Sequence, residues 1–237
     1  MRKLLLISVC CTLIFPAIRA EKRWKEENKR FNFGLIAGVN APFVNNRSIL
    51  VDWKESEKPD NESGIGATVA LFGRTNINRN YLQVEIGTSF FRNQTVWDLN
   101  EFYTTATSQT NINTSVLTLD IPLLYGYNFV KRQPYELSLF AGPKMRYTYK
   151  YKESAGNFGV YTFSIDEPIH PVTACFIVGM ATKISRFILD FRYEFAITVQ
   201  NKPGTYQLYE GETLLYQGNI YMKRATNLLS FSLGVIL

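Results

Sequence analysis

Eight stretches of apolar–polar alternation, three short connections interleaved with four long polar ones, and one strand face of small residues carrying both signs of charge predict an all-β protein. The fold class is an eight-stranded antiparallel transmembrane up-and-down β-barrel. Length agrees: of 237 residues the first 20 read as a removable export signal, and what remains suits a single barrel better than two full-sized domains.

The strands follow in order. Phe31–Asn40 sets Phe31, Phe33, Leu35, Ala37 and Val39 against Asn32, Gly34, Ile36, Gly38 and Asn40. Gly64–Thr75 carries Ile65, Ala67, Val69 and Leu71 on one side, and Tyr81–Arg92 carries Leu82, Val84, Ile86 and Phe90. Thr114–Tyr127 alternates Leu117, Leu119, Ile121, Leu123, Tyr125 and Tyr127 with Thr118, Asp120, Pro122 and Gly126. Tyr135–Tyr151 sets Leu137, Leu139, Ala141, Met145, Tyr147, Tyr149 and Tyr151 against Glu136, Ser138, Gly142, Lys144, Arg146 and Lys150. Val172–Ile184, Phe187–Val199 and Thr226–Leu237 complete the set. Several are long enough to cross a bilayer at a tilt, which takes roughly 9–11 residues.

The connections sort by length. Asn76–Asn80, Asn128–Pro134 and Ser185-Arg186 are short; Ala41–Ser63, Asn93–Asn113, Lys152–Pro171 and Gln200–Ala225 are long and polar. Short periplasmic turns and long extracellular loops are the habit of outer-membrane barrels. The polar face decides which side meets lipid. It is mostly Gly, Ser, Thr and Ala, with Glu85, Asp120, Glu136, Lys144, Arg146, Asp190, Arg192 and Glu194 spaced along it. A face exposed to water would be rich in Lys and Glu, whereas small residues suit the narrow interior of eight strands. Asp120, Lys144, Arg146, Asp190, Arg192 and Glu194 are therefore read as a structural ion-pair lattice in the lumen. Aromatics gather at the strand ends. Phe31, Phe33, Tyr81, Tyr125, Tyr127, Tyr135 and Phe187 are expected at the periplasmic boundary, and Phe90, Tyr147, Tyr149 and Tyr151 at the outer one.

The N-terminus has the anatomy of a secretory signal: Arg2 and Lys3, an apolar run Leu4–Phe15, and Ala17-Ile18-Arg19-Ala20 as a cleavage site. The alternative is a retained anchor. The expected organisation is a signal peptide over Met1–Ala20, a periplasmic tail over Glu21–Arg30 and the barrel over Phe31–Leu237. Cys10 and Cys11 fall in the signal, so Cys175 alone remains and no intramolecular disulfide is expected. Of the formal charge of +6, Arg2, Lys3 and Arg19 of the signal carry +3 and the Glu21–Arg30 tail, with five basic against three acidic residues, a further +2, so no basic face is left for nucleic acid. His170 is the one histidine of the chain, which leaves little for a metal site or a triad, and no cofactor is expected.

Asn32-Phe33-Gly34-Leu35-Ile36-Ala37-Gly38-Val39-Asn40, Thr118-Leu119-Asp120-Ile121-Pro122-Leu123-Leu124-Tyr125-Gly126-Tyr127 and Phe140-Ala141-Gly142-Pro143 occur in that order. They resemble the PorT-like outer-membrane β-barrel family of Bacteroidetes, most specifically at Asp120-Ile121-Pro122-Leu123-Leu124. The resemblance implies a fold and a place in the envelope. Its namesake takes part in secretion across the outer membrane, so an envelope or secretion-complex partner is one implication. Gly34, Gly38 and Gly142 are read as relieving crowding in a small barrel, and Pro122 as tolerable at a bulge or rim.

The leading functional expectation is a non-enzymatic, monomeric outer-membrane barrel, in contact with outer-membrane lipids and acting through its extracellular loops or as an accessory to an envelope or secretion complex. Trp53 and Trp97 are candidate contact anchors, unless they pack within their own loops. Two alternatives stand beside it. One is an outer-leaflet lipid A-modifying enzyme, for which His170 would be the base and Asp166 or Glu167 its orienter. The other is a soluble periplasmic lipocalin-like barrel with its apolar side turned inward to a small ligand. A pore is least expected, because eight strands leave an interior filled by side chains.

Overall fold

The computed structural model describes residues 30–55, 60–62, 64–98, 109–132, 134–155, 157–158 and 161–237. The expected signal peptide and almost all of the Glu21–Arg30 tail lie outside the described residues. Thirteen strands are present among the described residues: β1 Phe31–Val51, β2 Lys54–Glu55, β3 Asp60–Glu62, β4 Gly66–Ile77, β5 Asn80–Asp98, β6 Gln109–Arg132, β7 Tyr135–Ala155, β8 Asn157–Phe158, β9 Tyr161–Asp166, β10 Val172–Ile184, β11 Phe187–Ala196, β12 Gly204–Glu210 and β13 Thr213–Ile236.

Eight of them close into a ring in the order β1-β4-β5-β6-β7-β10-β11-β13, and β13 returns to β1. All the pairings are antiparallel; the closing one runs from Gly34 opposite Ile236 to Val51 opposite Ile220. Closure removes the sheet edges that lipid would otherwise leave unsatisfied. The alternation sets the faces as expected: Leu35, Leu71, Ile86, Leu123, Leu139, Met180, Phe191 and Leu233 point outward and are exposed, while Glu85, Asp120, Lys144, Arg192 and Glu194 are buried inside. A lipocalin-like inward apolar face is thereby overturned. Phe31, Phe33, Tyr125, Tyr127, Tyr135 and Phe187 ring the short-turn end of the outer surface, and Tyr147, Tyr149 and Phe195 lie toward the other end.

The strands do not stop where the alternation was expected to end. β6 and β13 each have 24 residues. At about 3.3 Å per residue and a tilt near 40°, such a strand rises roughly 60 Å, more than twice the apolar band of about 25 Å. Much of what reads as long loop is therefore sheet. Above the end of β11 at Ala196, β12 takes its place beside β13, with Gly204 opposite Ile220, and β9 pairs with β12 in turn. This second storey has its own core of Ile49, Val51, Ile112, Tyr206, Leu208, Ile220 and Met222.

Four local expectations are corrected. Tyr151 turns inward, not into the outer girdle: a bulge between Leu117 and Thr118 of the β6–β7 ladder adds one residue to β7, and every later side chain changes face. Tyr151 packs on Phe91, Val116 and Leu228 instead. Tyr81 is also interior, because odd positions of β5 face the lumen; its ring lies 4.1 Å from the Arg74 guanidinium carbon and its hydroxyl 3.3 Å from Ser138 Oγ. Gly126 makes the room, since a Cβ there would sit 2.0 Å from the Tyr81 ring. Pro122 is at neither bulge nor rim but in mid-strand facing the lumen. The β5–β6 register is the same on both sides of it, Val84 opposite Leu123 and Gly87 opposite Asp120, and the ladder is interrupted between them, where the proline has no N–H to donate. The expected strand over Phe187–Val199 ends at Ala196; beyond it, Ile197 and Thr198 donate their amides back to Ala174 O.

Candidate functional site

Two regions hold chemistry-bearing side chains: the lumen and the extracellular storey. The lumen is layered. At the short-turn end lies an apolar layer of Ile36, Phe72, Tyr81, Leu124, Phe140, Ile177, Ala181, Ile188 and Ile236. Above it the strand alternation brings together charges from β5, β6, β7 and β11, while Arg74 of β4 stands beside Tyr81 and opposite Gln83, at the level of the apolar layer itself. Lys144 Nζ meets Asp120 at 2.9 Å and Glu194 at 2.6 Å, and Arg146 bonds the other Glu194 oxygen. Asp120 also accepts from the hydroxyls of Ser89 at 2.6 Å and Thr118 at 3.1 Å. Arg192 pairs with Glu85 at 3.0 Å and with Asp190; Gln83 links Glu85 to Arg74 through bonds of 2.5 and 2.6 Å.

These pairs join the six residues read from the sequence as an ion-pair lattice, and they add Arg74 and Glu85. The eight charges comprise four buried carboxylates and four buried cations, so the set carries no net charge. Buried charges are tolerable when each has a partner and further hydrogen bonds. A cavity of about 30 Å³ remains between Glu85, Asp120, Lys144, Arg192 and Glu194, space for a water or two rather than a passage. Cys175, the one free thiol among the described residues, is buried at the same level.

The upper storey is held by polar contacts the sequence did not single out. Arg224 pairs with Glu153 at 2.8 Å. Glu167 lies between β9 and β10, buried, and accepts from the Met222 amide and from Asn201 Nδ2, both at 2.7 Å. Burial pushes its carboxyl up to about 7, against the opposing pull of Arg224. Asp52 tops the barrel in a two-residue turn, Asp52 and Trp53 both having positive φ, the geometry of a type I′ hairpin. Its carboxylate accepts from Tyr206 at 3.1 Å, Tyr216 at 3.0 Å and the Asn219 amide at 2.8 Å, and the last of these chiefly holds it below the usual range.

The residues considered for an enzyme do not converge. His170 is exposed, with its amide bonded to Gln200 O at 2.7 Å. Asp166 is exposed on β9, paired with Thr205, while Glu167 turns inward to Met222 and Asn201. Trp53 is 69% exposed at the tip of its turn. Trp97 is on β5 opposite Thr110, and the setting of its side chain lies outside what is described. Among the described residues no cluster of three or more His, Cys, Asp or Glu is arranged to hold a metal.

Residues 20–199 match the family model of an outer membrane protein β-barrel domain. The chain belongs to the outer membrane protein β-barrel domain family. Its place is therefore the outer membrane, with the apolar belt in lipid. Solved structures similar to this barrel include OprG of Pseudomonas aeruginosa, at 10% identity and a TM-score of 0.45 over 86% of this chain and 95% of that one. A major outer membrane protein of Thermus thermophilus matches at 10% identity and a TM-score of 0.45, over 87% and 99%. Ail of Yersinia pestis, solved with the heparin analogue sucrose octasulfate, matches at 9% identity and 0.38, over 88% and 99%. No curated protein matches the chain.

Proposed function

We propose that this outer-membrane barrel is a non-enzymatic monomer that works through its extracellular storey, as an accessory to an envelope or secretion complex of the PorT-like kind. The observation that carries the reading is the β12–β13 hairpin. Leu214, Leu215 and Tyr216 are each nearly half exposed there, and Trp53 stands on the turn that Asp52 ties to Tyr216. These side chains lie well above the lipid belt, in water, where apolar clusters mark contact surfaces. A rigid base supports them, because the storey has its own apolar core.

The lumen supports the same division of labour. Its neutral set of ionic side chains and the apolar layers on either side fill it, so the barrel serves as a scaffold instead of a conduit. The PorT-like resemblance supports a partner in secretion. The lipid A-enzyme alternative draws no support from His170, Asp166 and Glu167, since the first two are exposed and Glu167 is buried on Met222 and Asn201.

The test is complementation. A strain lacking the gene is supplied with wild type or with a Trp53→Ser, Leu214→Ser, Tyr216→Ser variant, whose insertion is checked by heat-dependent gel mobility. The inserted variant is expected to leave the envelope or secretion defect of the deletion uncorrected. Full complementation by that variant would end the reading.

A further inference from the structure

On the outer wall formed by β5, β6 and β7, the lipid belt ends in a row of cations. Arg92 stands opposite Ser115, and Ser115 opposite Lys152. One step lower, Phe90 stands opposite Leu117, and Leu117 opposite Lys150. The β6–β7 bulge that turned Tyr151 inward also turned Lys150 and Lys152 outward, so the three cations come to one face by a change of parity. All three are exposed. The row sits directly above Tyr147 and Tyr149, the aromatic side chains at the outer margin of the belt. Arg92 lies across the Phe90 ring at 5.1 Å, which holds its guanidinium at that margin.

Beside the row is an open cleft of about 220 Å³ lined by Gly64, Arg92, Asn93, Gln94, Asn113, Thr114 and Ser115. Its side chains are all polar. Gln94, Asn113 and Ser115 are its accessible polar side chains, whereas Asn93 and Thr114 are buried on the inner face of the wall. Ser115, midway between Arg92 and Lys152, adds a hydroxyl to the face. Cations at a membrane interface attract anionic headgroups, and the stems of Arg and Lys lie along acyl chains while their charges reach the headgroup level.

We propose that Arg92, Lys150 and Lys152, with the polar cleft beside them, bind the phosphorylated sugar headgroup of an outer-leaflet glycolipid. The cations neutralise a phosphomonoester, and the cleft's amides and hydroxyls take sugar hydroxyls. The acyl chains lie down the belt over Leu119, Met145 and Tyr147. The site is separate from the hairpin surface, and its test is independent of that reading.

The experiment uses the full mature chain folded in detergent, titrated with bisphosphorylated lipid A, with lipid A stripped of phosphate, and with sodium phosphate. Three variants are compared: Arg92→Gln/Lys150→Gln/Lys152→Gln; Lys150→Arg/Lys152→Arg; and Lys223→Gln, a cation on β13 away from the row. Heat-dependent mobility establishes that each is folded. Wild type is expected to bind bisphosphorylated lipid A at least tenfold more tightly than the stripped form. The triple variant should lose that preference, and the arginine and Lys223 variants should keep it. Should the triple variant not fold, Lys152→Gln alone, with a threefold or greater loss, is the measure. Equal binding of both lipid forms, or a folded triple or single variant within twofold of wild type, would overturn the proposal. So would sodium phosphate that displaces lipid A at matched concentration, since the ligand would then be free phosphate.

Discussion

Replacing Glu194 by Gln is the sharpest perturbation of the lumen. The side chain keeps its shape and loses its charge, so packing is constant and electrostatics alone change. Glu194 accepts from Lys144 at 2.6 Å and from Arg146, and all three are buried. Without it, two buried cations share Asp120, which is 2.9 Å from Lys144 and 3.8 Å from Arg146. Breaking a buried pair by removing one partner costs about 3–5 kcal/mol. The surviving Asp120 contacts place the cost near the lower end, at about 3 kcal/mol, or roughly a hundredfold in the folded-to-unfolded ratio. A second substitution, Lys144→Met, removes the excess cation and leaves Asp120 facing Arg146. The double variant should recover at least about 1.5 kcal/mol relative to the sum of the single effects. Denaturant unfolding of the refolded barrel, read by the gel-mobility shift, measures both quantities. Glu212→Gln on the exposed hairpin turn is the control. A loss below about 1 kcal/mol for Glu194→Gln, or strict additivity in the cycle, would refute an ion-paired lumen.

Gly126→Ala places a Cβ against the Tyr81 ring and should cost about 1–3 kcal/mol, whereas Gly73→Ala, with 3.4 Å to the nearest atom, should be near neutral in the same unfolding assay. Burial raises Glu167 from an ordinary 4.5 to about 7, so its folded value lies above its unfolded one. The contribution it makes is complete below about pH 4.5 and is lost as pH rises through about 7. The upper storey should therefore open more readily at pH 8 than at pH 5, and Glu167→Gln should flatten that difference; amide exchange at Met222 is the readout. Asp52 is displaced the other way, mainly by the Asn219 amide, so its hold on the turn is present at neutral pH and lost as pH falls through the acid range. Asp52→Ala should expose the β1–β2 turn to protease at pH 7 while the barrel stays folded.

The barrel itself was legible because lipid imposes a single rule on every strand, apolar side chains out, while the inward positions are free to be small, ion-paired or, in the layer of Ile36, Phe72, Leu124 and Phe140, apolar as well. Leu35, Leu71, Ile86, Leu123 and Leu233 follow it without exception, and the ring order follows from the short turns. The upper storey was hidden because the rule reverses above the belt. There Ile49, Val51, Ile112, Leu208, Ile220 and Met222 face inward, while Asn113, Ser115, Lys152 and Lys223 face outward, since water now lies outside. A reading that follows one parity sees polar residues where lipid-facing ones should be, and reports a loop. Short runs such as Ile49–Val51 and Ile220–Met222 give no period of their own to correct it.

Bulges explain why site residues were harder to read than strands. One extra residue in β7 moves Tyr151 and Glu153 into the lumen and Lys150 and Lys152 onto the outer wall. Glu153 then meets Arg224, and the two lysines join Arg92. A similar irregularity between Asn46 and Ile49 brings Ile49 and Val51 to the inner face of β1. In each case the change of parity falls near the end of the lipid belt, where the required pattern inverts. An aqueous storey with an apolar core can be stacked on a lipid-embedded barrel with a polar core by such bulges, without breaking the strands that join them. What the two storeys share is the run of long strands β1, β5, β6, β7 and β13, which pass unbroken from one into the other, while β12 takes over beside β13 where β11 stops.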